Sequence, residues 1–201
     1  MDKQDARRAQ IETAAFAVLE EVGYKKASML QIAKRAKASN ETLYAWYGNK
    51  QALFSALIEK NAKSVQDTLS AAIAGQSDPD TDLQSVARLL LAFTATEKAV
   101  IVNRAAVADV LETGLLAQAI EQNARRVMYR MLGELMITLE SSKRYVFDDG
   151  VEKAVGVFID LLLGELQLQQ ALGTVPPLTP ADIDARSKHA CDLFDRLYLN
   201  R

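Results

Sequence analysis

The sequence predicts an all-α chain of about nine helices. Three observations carry that reading. Glycine and proline are scarce in the 201 residues, 9 and 4 respectively. β-Branched residues rarely alternate with polar ones, so the two-residue period of a half-buried strand is missing. Apolar residues instead recur at spacings of three and four. A hydrophobic content of 49% with 25% charged residues suits a globular chain with a real core.

The elements follow in order. Ile11, Ala15, Val18, Leu19 and Val22 form one face of a first helix, with Gly23 as its stop. "SMLQ" (Ser28 to Gln31) reads as a capping box opening a two-turn helix through Ala36. Lys37-Ala38 is the turn, and Ser39 caps a third helix that ends before Gly48-Asn49. Asn49 caps a long helix from Lys50 towards Ala74. "GQSDPDTD", Gly75 to Asp82, is a polar break. Helical patterns follow at 83–97, 99–111 and 114–140, then the break "SSKRYVFDDG" and a strongly apolar helix at 150–172. Thr179-Pro180-Ala181-Asp182 opens the last helix, 180–199, with a cap, a proline at its first position and an acid in its first turn.

Several function classes are disfavoured. No run approaches the roughly 18 apolar residues of a membrane span. The start, "MDKQDARRAQ", is polar and is not a secretory signal. Cys191 is the lone cysteine, so no intrachain disulfide forms, which fits a reducing cytoplasm. His189 is the lone histidine, which disfavours histidine metal clusters and general-base pairs, and no Walker loop or G-x-G-x-x-G occurs. The expectation is a non-enzyme without cofactor or metal.

Charge points to a polyanion. Residues 1–50 hold nine basic and six acidic side chains, and the remaining 151 hold fifteen and twenty. The first part is therefore net positive and the second net negative. Two short helices joined by a tight turn and braced by a longer one describe a helix-turn-helix, whose second short helix enters the DNA major groove. In "SNETLYAWYGNKQALF" the core face of that helix is Leu43 and Tyr47. Asn40, Glu41, Thr42, Ala45 and Trp46 point elsewhere, with Tyr44 at the edge, and the tyrosine and tryptophan carry donors suited to phosphate oxygens. Lys50 in a helix first turn opposes the macrodipole at about 0.3–1 kcal/mol unless an anion sits there. It is either a phosphate ligand or a solvated surface lysine. Glu41 either accepts from a cytosine amino group or only stabilises the helix start.

"IAKRAKASNETLYAWYGNKQALFSALI" resembles the DNA-binding signature of the TetR family of transcriptional regulators. The residues that carry the likeness are Ile32-Ala33, Ala36, Ser39, Thr42-Leu43-Tyr44, Tyr47, Lys50 and Leu53, with Gly23-Tyr24 and Ser28 before them. The signature spans roughly residues 7–60. The second part more loosely resembles the AefR-like subgroup, through "RLLLAFTA", "VNRAAVADV" and "FIDLLLGELQLQQALG". The resemblance implies a DNA-binding domain at 1–50 and a ligand-binding and dimerisation domain at 51–201, joined by helix 50–74. It also implies a homodimer that leaves a palindromic double-stranded operator when a small-molecule effector binds, usually as a repressor. The DNA-contacting set is then Ser28, Lys37, Ser39, Asn40, Glu41, Thr42, Tyr44, Trp46 and Lys50. The chain departs from the family where Lys37-Ala38 replaces Gly-Val, Asn40-Glu41 replaces Lys-Gly, and Trp46 replaces the frequent histidine. A helical protein that binds small molecules without reading DNA is the alternative.

In the larger half, Arg104 falls on a stripe with Val100, Val107 and Leu111 and needs a partner, either an acidic ligand or an internal acid such as Asp160 or Glu165. Phe93, Arg104, Val107, Met128, Tyr129, Leu132 and Phe158 are candidate ligand residues; Phe93, Met128, Tyr129, Leu132 and Phe158 also read as plain core. Val155, Phe158, Leu162 and Leu166 with Ile183, Ala190, Phe194 and Leu197 are candidates for a four-helix dimer interface, or pack within one subunit. Gly156 and Gly164 would allow close approach.

Overall fold

The computed structural model describes residues 3–74 and 79–200. They form eleven α-helices: α1 Lys3–Lys26, α2 Met29–Arg35, α3 Asn40–Tyr47, α4 Lys50–Ala74, α5 Pro79–Thr94, α6 Glu97–Asp109, α7 Leu115–Ile120, α8 Arg126–Ser141, α9 Val151–Leu163, α10 Leu166–Leu172 and α11 Pro180–Tyr198. No strand occurs among the described residues, and a lone antiparallel bridge pairs Tyr145 with Leu199. The all-helical expectation holds. Among the described residues no helix is long and apolar enough to cross a membrane.

Two compact units form, each with its own core. The first joins Met1–Lys63 to Ile101–Ala124, and the second joins Ser64–Val100 to Arg125–Arg201. The first unit is larger than residues 1–50. Leu53, Phe54, Leu57 and Ile58 of α4 are buried in its core beside Ile11, Ala15, Val18 and Leu19 of α1, Ile32 and Ala33 of α2, and Leu43 of α3. Ala105, Ala106, Leu116 and Ala119, far along the chain, complete that core. Lys60 also pairs with Glu12 at 2.8 Å, on the α1–α4 surface. The start of α4 therefore shares one core with the helix-turn-helix.

The second unit buries Leu83, Val86, Ala87, Leu90 and Leu91 of α5 against Leu132, Leu135, Met136 and Leu139 of α8, Val155, Phe158 and Leu162 of α9, and Ala190 and Phe194 of α11. Phe194 is its hub, with ring centroids at 4.8 Å from Tyr198, 5.3 Å from Phe158 and 5.7 Å from Tyr145. Tyr145 donates its hydroxyl proton to Asp195 at 2.5 Å.

Several boundaries differ from the sequence reading. Gly23 breaks helical geometry as expected (φ 73°, ψ 166°), although helical turns continue to Lys26. Residues 75–78 of the polar break lie outside the described residues, and α5 already starts at Pro79, where a preset φ favours a first helical position. The 114–140 pattern is interrupted by a π turn at Glu121–Arg125, where the Asn123 side chain donates to the Ala119 carbonyl at 3.1 Å and disturbs the ladder. The 150–172 pattern splits at Gly164 (φ 48°, ψ −129°), a conformation nearly confined to glycine. Arg186 from α11 donates to the Leu162 and Leu163 carbonyls at 2.5 and 2.9 Å and so closes the end of α9. Gly164 thus serves a break rather than a close approach. The start of α11 matches its expectation: the Thr179 hydroxyl accepts from Asp182 N at 3.2 Å, and the Asp182 carboxylate accepts from Thr179 N at 3.0 Å.

Candidate nucleic-acid interface

Local chemistry builds α2, the turn and α3. Ser28 caps α2, its hydroxyl oxygen accepting from Gln31 N at 3.3 Å. Only half of the expected capping box forms, since the Gln31 amide oxygen takes the Ser28 hydroxyl proton, at 2.9 Å, rather than the Ser28 backbone N–H. At the other end the chain closes in a Schellman turn, with Ala38 N–H on the Ala33 carbonyl at 2.9 Å and Lys37 N–H on the Lys34 carbonyl at 3.2 Å. Its left-handed position is Lys37, at φ 52°. Glycine is usual there, and a side chain costs about 1 kcal/mol. Ser39 then caps α3, accepting from Thr42 N at 3.0 Å and sharing a 2.8 Å hydroxyl contact with Thr42 Oγ1.

This geometry divides α3. Leu43 is fully buried and Tyr47 half-buried against the core. Asn40, Glu41, Tyr44 and Ala45 are exposed, and Thr42 is half-buried. Gly48, at φ 79°, ends the helix with its N–H on the Tyr44 carbonyl at 2.8 Å, and Asn49 Oδ1 caps α4 by accepting from Ala52 N at 2.8 Å. Besides Ser28, Ser39 and Thr42, two more members of the sequence-derived set carry internal contacts. Trp46 is half-buried against the core, with the Arg8 guanidinium 5.7 Å from its ring centroid. Lys50 is half-buried, and its ammonium donates to the Tyr24 carbonyl at 2.9 Å while lying 4.2 Å from the Tyr24 ring centroid. It braces the end of α1 as well as opening α4.

Tyr24 carries that brace further. Its buried hydroxyl donates to Asp109 Oδ1 at 3.0 Å. Asp109 is fully buried, and its Oδ2 accepts from Thr113 Oγ1 at 2.7 Å and from Leu116 N at 3.2 Å. Burial alone would raise this carboxyl, but the bonds from Thr113, Leu116 and Tyr24 outweigh it and hold the group below its ordinary value. Burial, then the bond to Asp109, pushes the Tyr24 hydroxyl well above its ordinary value, so it stays a donor.

Arg7 was not visible as a site residue. It donates to the Ala36 carbonyl at 3.3 Å, to the Lys37 carbonyl, and to Gln10 Oε1 at 2.9 Å. The two carbonyls lie 29 and 30 residues away, so no local pattern marks that contact. An open groove of about 550 Å³ runs beside it, lined in part by Gln10, Thr13, Arg35 and Lys37. Arg35 is engaged with Glu21.

Residues 11–57 match the family model described as bacterial regulatory proteins, tetR family. Residues 11–57 therefore resemble a TetR-family DNA-binding domain. Over 86 residues, 43% of this chain, it is 36% identical to the HTH-type transcriptional repressor SCO4008 of Streptomyces coelicolor, and the match takes in 42% of that repressor's length. The TetR fold extends over the whole chain. A TetR-family regulator structure from Mesorhizobium loti superposes with a TM-score of 0.84 at 20% identity, covering 99% of this chain and 100% of that one. The flavonoid-responsive regulator FrrA gives 0.69 at 27% identity, covering 98% and 99%.

The other candidate sets scatter. Arg104 and Val107 lie in the first unit, whereas Phe93, Met128, Tyr129, Leu132 and Phe158 lie in the second. The stripe expected for α6 is not its buried face: Val107 is 68% and Leu111 89% exposed and Arg104 is exposed, while Ala105, Ala106 and Asp109 are buried. Val100 is the one member of that stripe that is buried, and the small Ala105 and Ala106 carry the contact further along α6. Leu132 and Phe158 are fully enclosed core, and Met128 and Tyr129 pack half-buried against it. Of the interface candidates, Val155, Phe158, Leu162, Leu166, Ala190 and Phe194 are buried inside their own subunit. Their apolar faces meet each other within one chain and are not available to a partner. Ile183 is half-buried, and Leu197 is 60% exposed.

Proposed function

We propose that this protein is a cytoplasmic, homodimeric transcriptional regulator of the TetR type, a repressor that occupies a palindromic operator and leaves it when a small-molecule effector binds the larger helical part. One observation carries the reading: α3 is fastened by Leu43 and the Ser39 cap while Asn40, Glu41 and Tyr44 remain exposed on it. An amide and a carboxylate are the groups that pair with adenine and with the cytosine amino group, and a tyrosine hydroxyl suits a phosphate.

The half-exposed Phe93, Met128 and Tyr129 favour an apolar, partly aromatic effector, and a flavonoid-responsive regulator of similar fold is consistent with that class. Leu168 and Leu172 of α10 and Leu197 of α11, between 60 and 70% exposed, supply apolar area for a partner subunit.

The test is enrichment of duplexes from a random pool by the full chain, followed by anisotropy titrations across salt concentration. A specific complex weakens steeply with salt yet keeps its preference over scrambled DNA. If no sequence is enriched and all duplexes bind alike, the protein is a helical small-molecule binder and the proposal fails.

A further inference from the structure

The Schellman turn between α2 and α3 has a left-handed lysine where the backbone favours glycine. Its own N–H groups satisfy the Ala33 and Lys34 carbonyls, which leaves the Ala36 and Lys37 carbonyls without partners inside the turn. Both are taken by one side chain, Arg7, reaching across from the first turns of α1. Gln10, one turn on along α1, holds the same guanidinium at 2.9 Å. A planar fork spans two carbonyls with donors at fixed positions, whereas an ammonium is a point charge without that fixed spacing. The turn leads directly into the Ser39 cap, so its backbone angles set the direction in which α3 leaves it.

We propose that Arg7 is a positioning residue for DNA reading: its guanidinium, closed on the Ala36 and Lys37 carbonyls, holds the strained turn and thereby the angle of α3 in the groove. The inference rests on the proposal that α3 reads DNA. Arg7 acts through the turn rather than on DNA, its N–H groups donating to the Ala36 and Lys37 carbonyls. A shift of α3 by a fraction of an ångström misaligns base contacts while leaving backbone attraction intact.

The test uses the full chain, the duplex it enriches from a random pool, and a scrambled duplex of equal length. Arg7→Lys keeps the charge and loses the fork. It should lower the ratio of selected to scrambled affinity by about tenfold, the scale of one lost base contact, with scrambled affinity and salt slope unchanged. Lys37→Gly removes the strain, so Arg7→Lys placed in that background should cost much less of the ratio than in the wild type. A second readout needs no DNA: amide exchange at Ala38 should quicken in Arg7→Lys and not in Arg7→Lys/Lys37→Gly, while α4 amides hold. An unchanged ratio, or an equal loss in both backgrounds, overturns the proposal. So does an Arg7→Met variant that weakens both duplexes alike and flattens the salt slope by about one unit, with Arg7→Lys restoring both, since that marks a phosphate contact. If the wild type enriches no duplex, the DNA reading falls and the role in reading falls with it. Amide exchange then still shows whether the clamp itself exists.

Discussion

The Lys50 ammonium has three protons to donate, and the folded chain takes one at the Tyr24 carbonyl. Under the proposed function the other two serve a phosphate at the start of α4, a role that its substitution tests. Lys50→Ala should therefore flatten the salt slope of DNA binding by about one unit, alike for all sequences. It should also cost about 1–2 kcal/mol in a denaturant titration, since a charged hydrogen bond and a cation–π contact go together. A slope that stays put would place the whole charge inside the protein. Glu41 is exposed and separable from the core. Glu41→Ala should change which duplex is enriched, as read by sequencing the selected pool. A variant that loses only a few tenths of a kcal/mol of stability and keeps the same preferred sequence would reduce Glu41 to a partner of the helix dipole.

Among the elements, α1 and α6 meet through a buried polar link, Tyr24 to Asp109, whose carboxylate also closes the turn into α7 through Thr113 and Leu116. The folded carboxyl sits below its ordinary value of 3.8. Between the folded and unfolded values the unfolded chain binds more protons, so stability rises with pH there. The contribution is complete above about pH 4 and is lost as pH falls through the lower folded value. Asp109→Asn should flatten that acid limb in denaturant titrations at stepped pH. At neutral pH it should cost about 1–3 kcal/mol, because the amide N–H₂ would face either the Tyr24 hydroxyl or both the Thr113 hydroxyl and the Leu116 N–H. An acid limb identical to the wild type would show that the carboxylate is not ionised in this network.

At the scale of the whole molecule, an operator needs two reading heads about 34–36 Å apart, because one recognition helix selects too few base pairs. The partner surface must be apolar area left outside the subunit core. Leu197→Glu should therefore give a folded monomer by sedimentation, with its melting midpoint nearly kept and operator affinity lost. Phe194→Glu should instead unfold the chain, because Phe194 is fully enclosed among Tyr145, Phe147, Phe158 and Tyr198. A Leu197→Glu protein that stays dimeric would move the interface elsewhere.

The sequence alone determined what is decided within a turn or two of chain. Ser39 with Thr42, Asn49 with Ala52 and Thr179 with Asp182 form caps at a spacing of three, and such pairs meet whenever the helix forms. The helix-turn-helix and the exposed face of α3 were readable for that reason. Periodicity also shows that a face is buried, but not what buries it. Phe194 and Leu162 have the pattern of an interface and of a core alike, and only the packed unit assigned them to the core. Gly164 breaks α9 in concert with Arg186, Arg7 closes a turn 29 and 30 residues away, and Tyr24 finds Asp109 across 85. Such partners are chosen by the path of the chain through space, which no local spacing encodes.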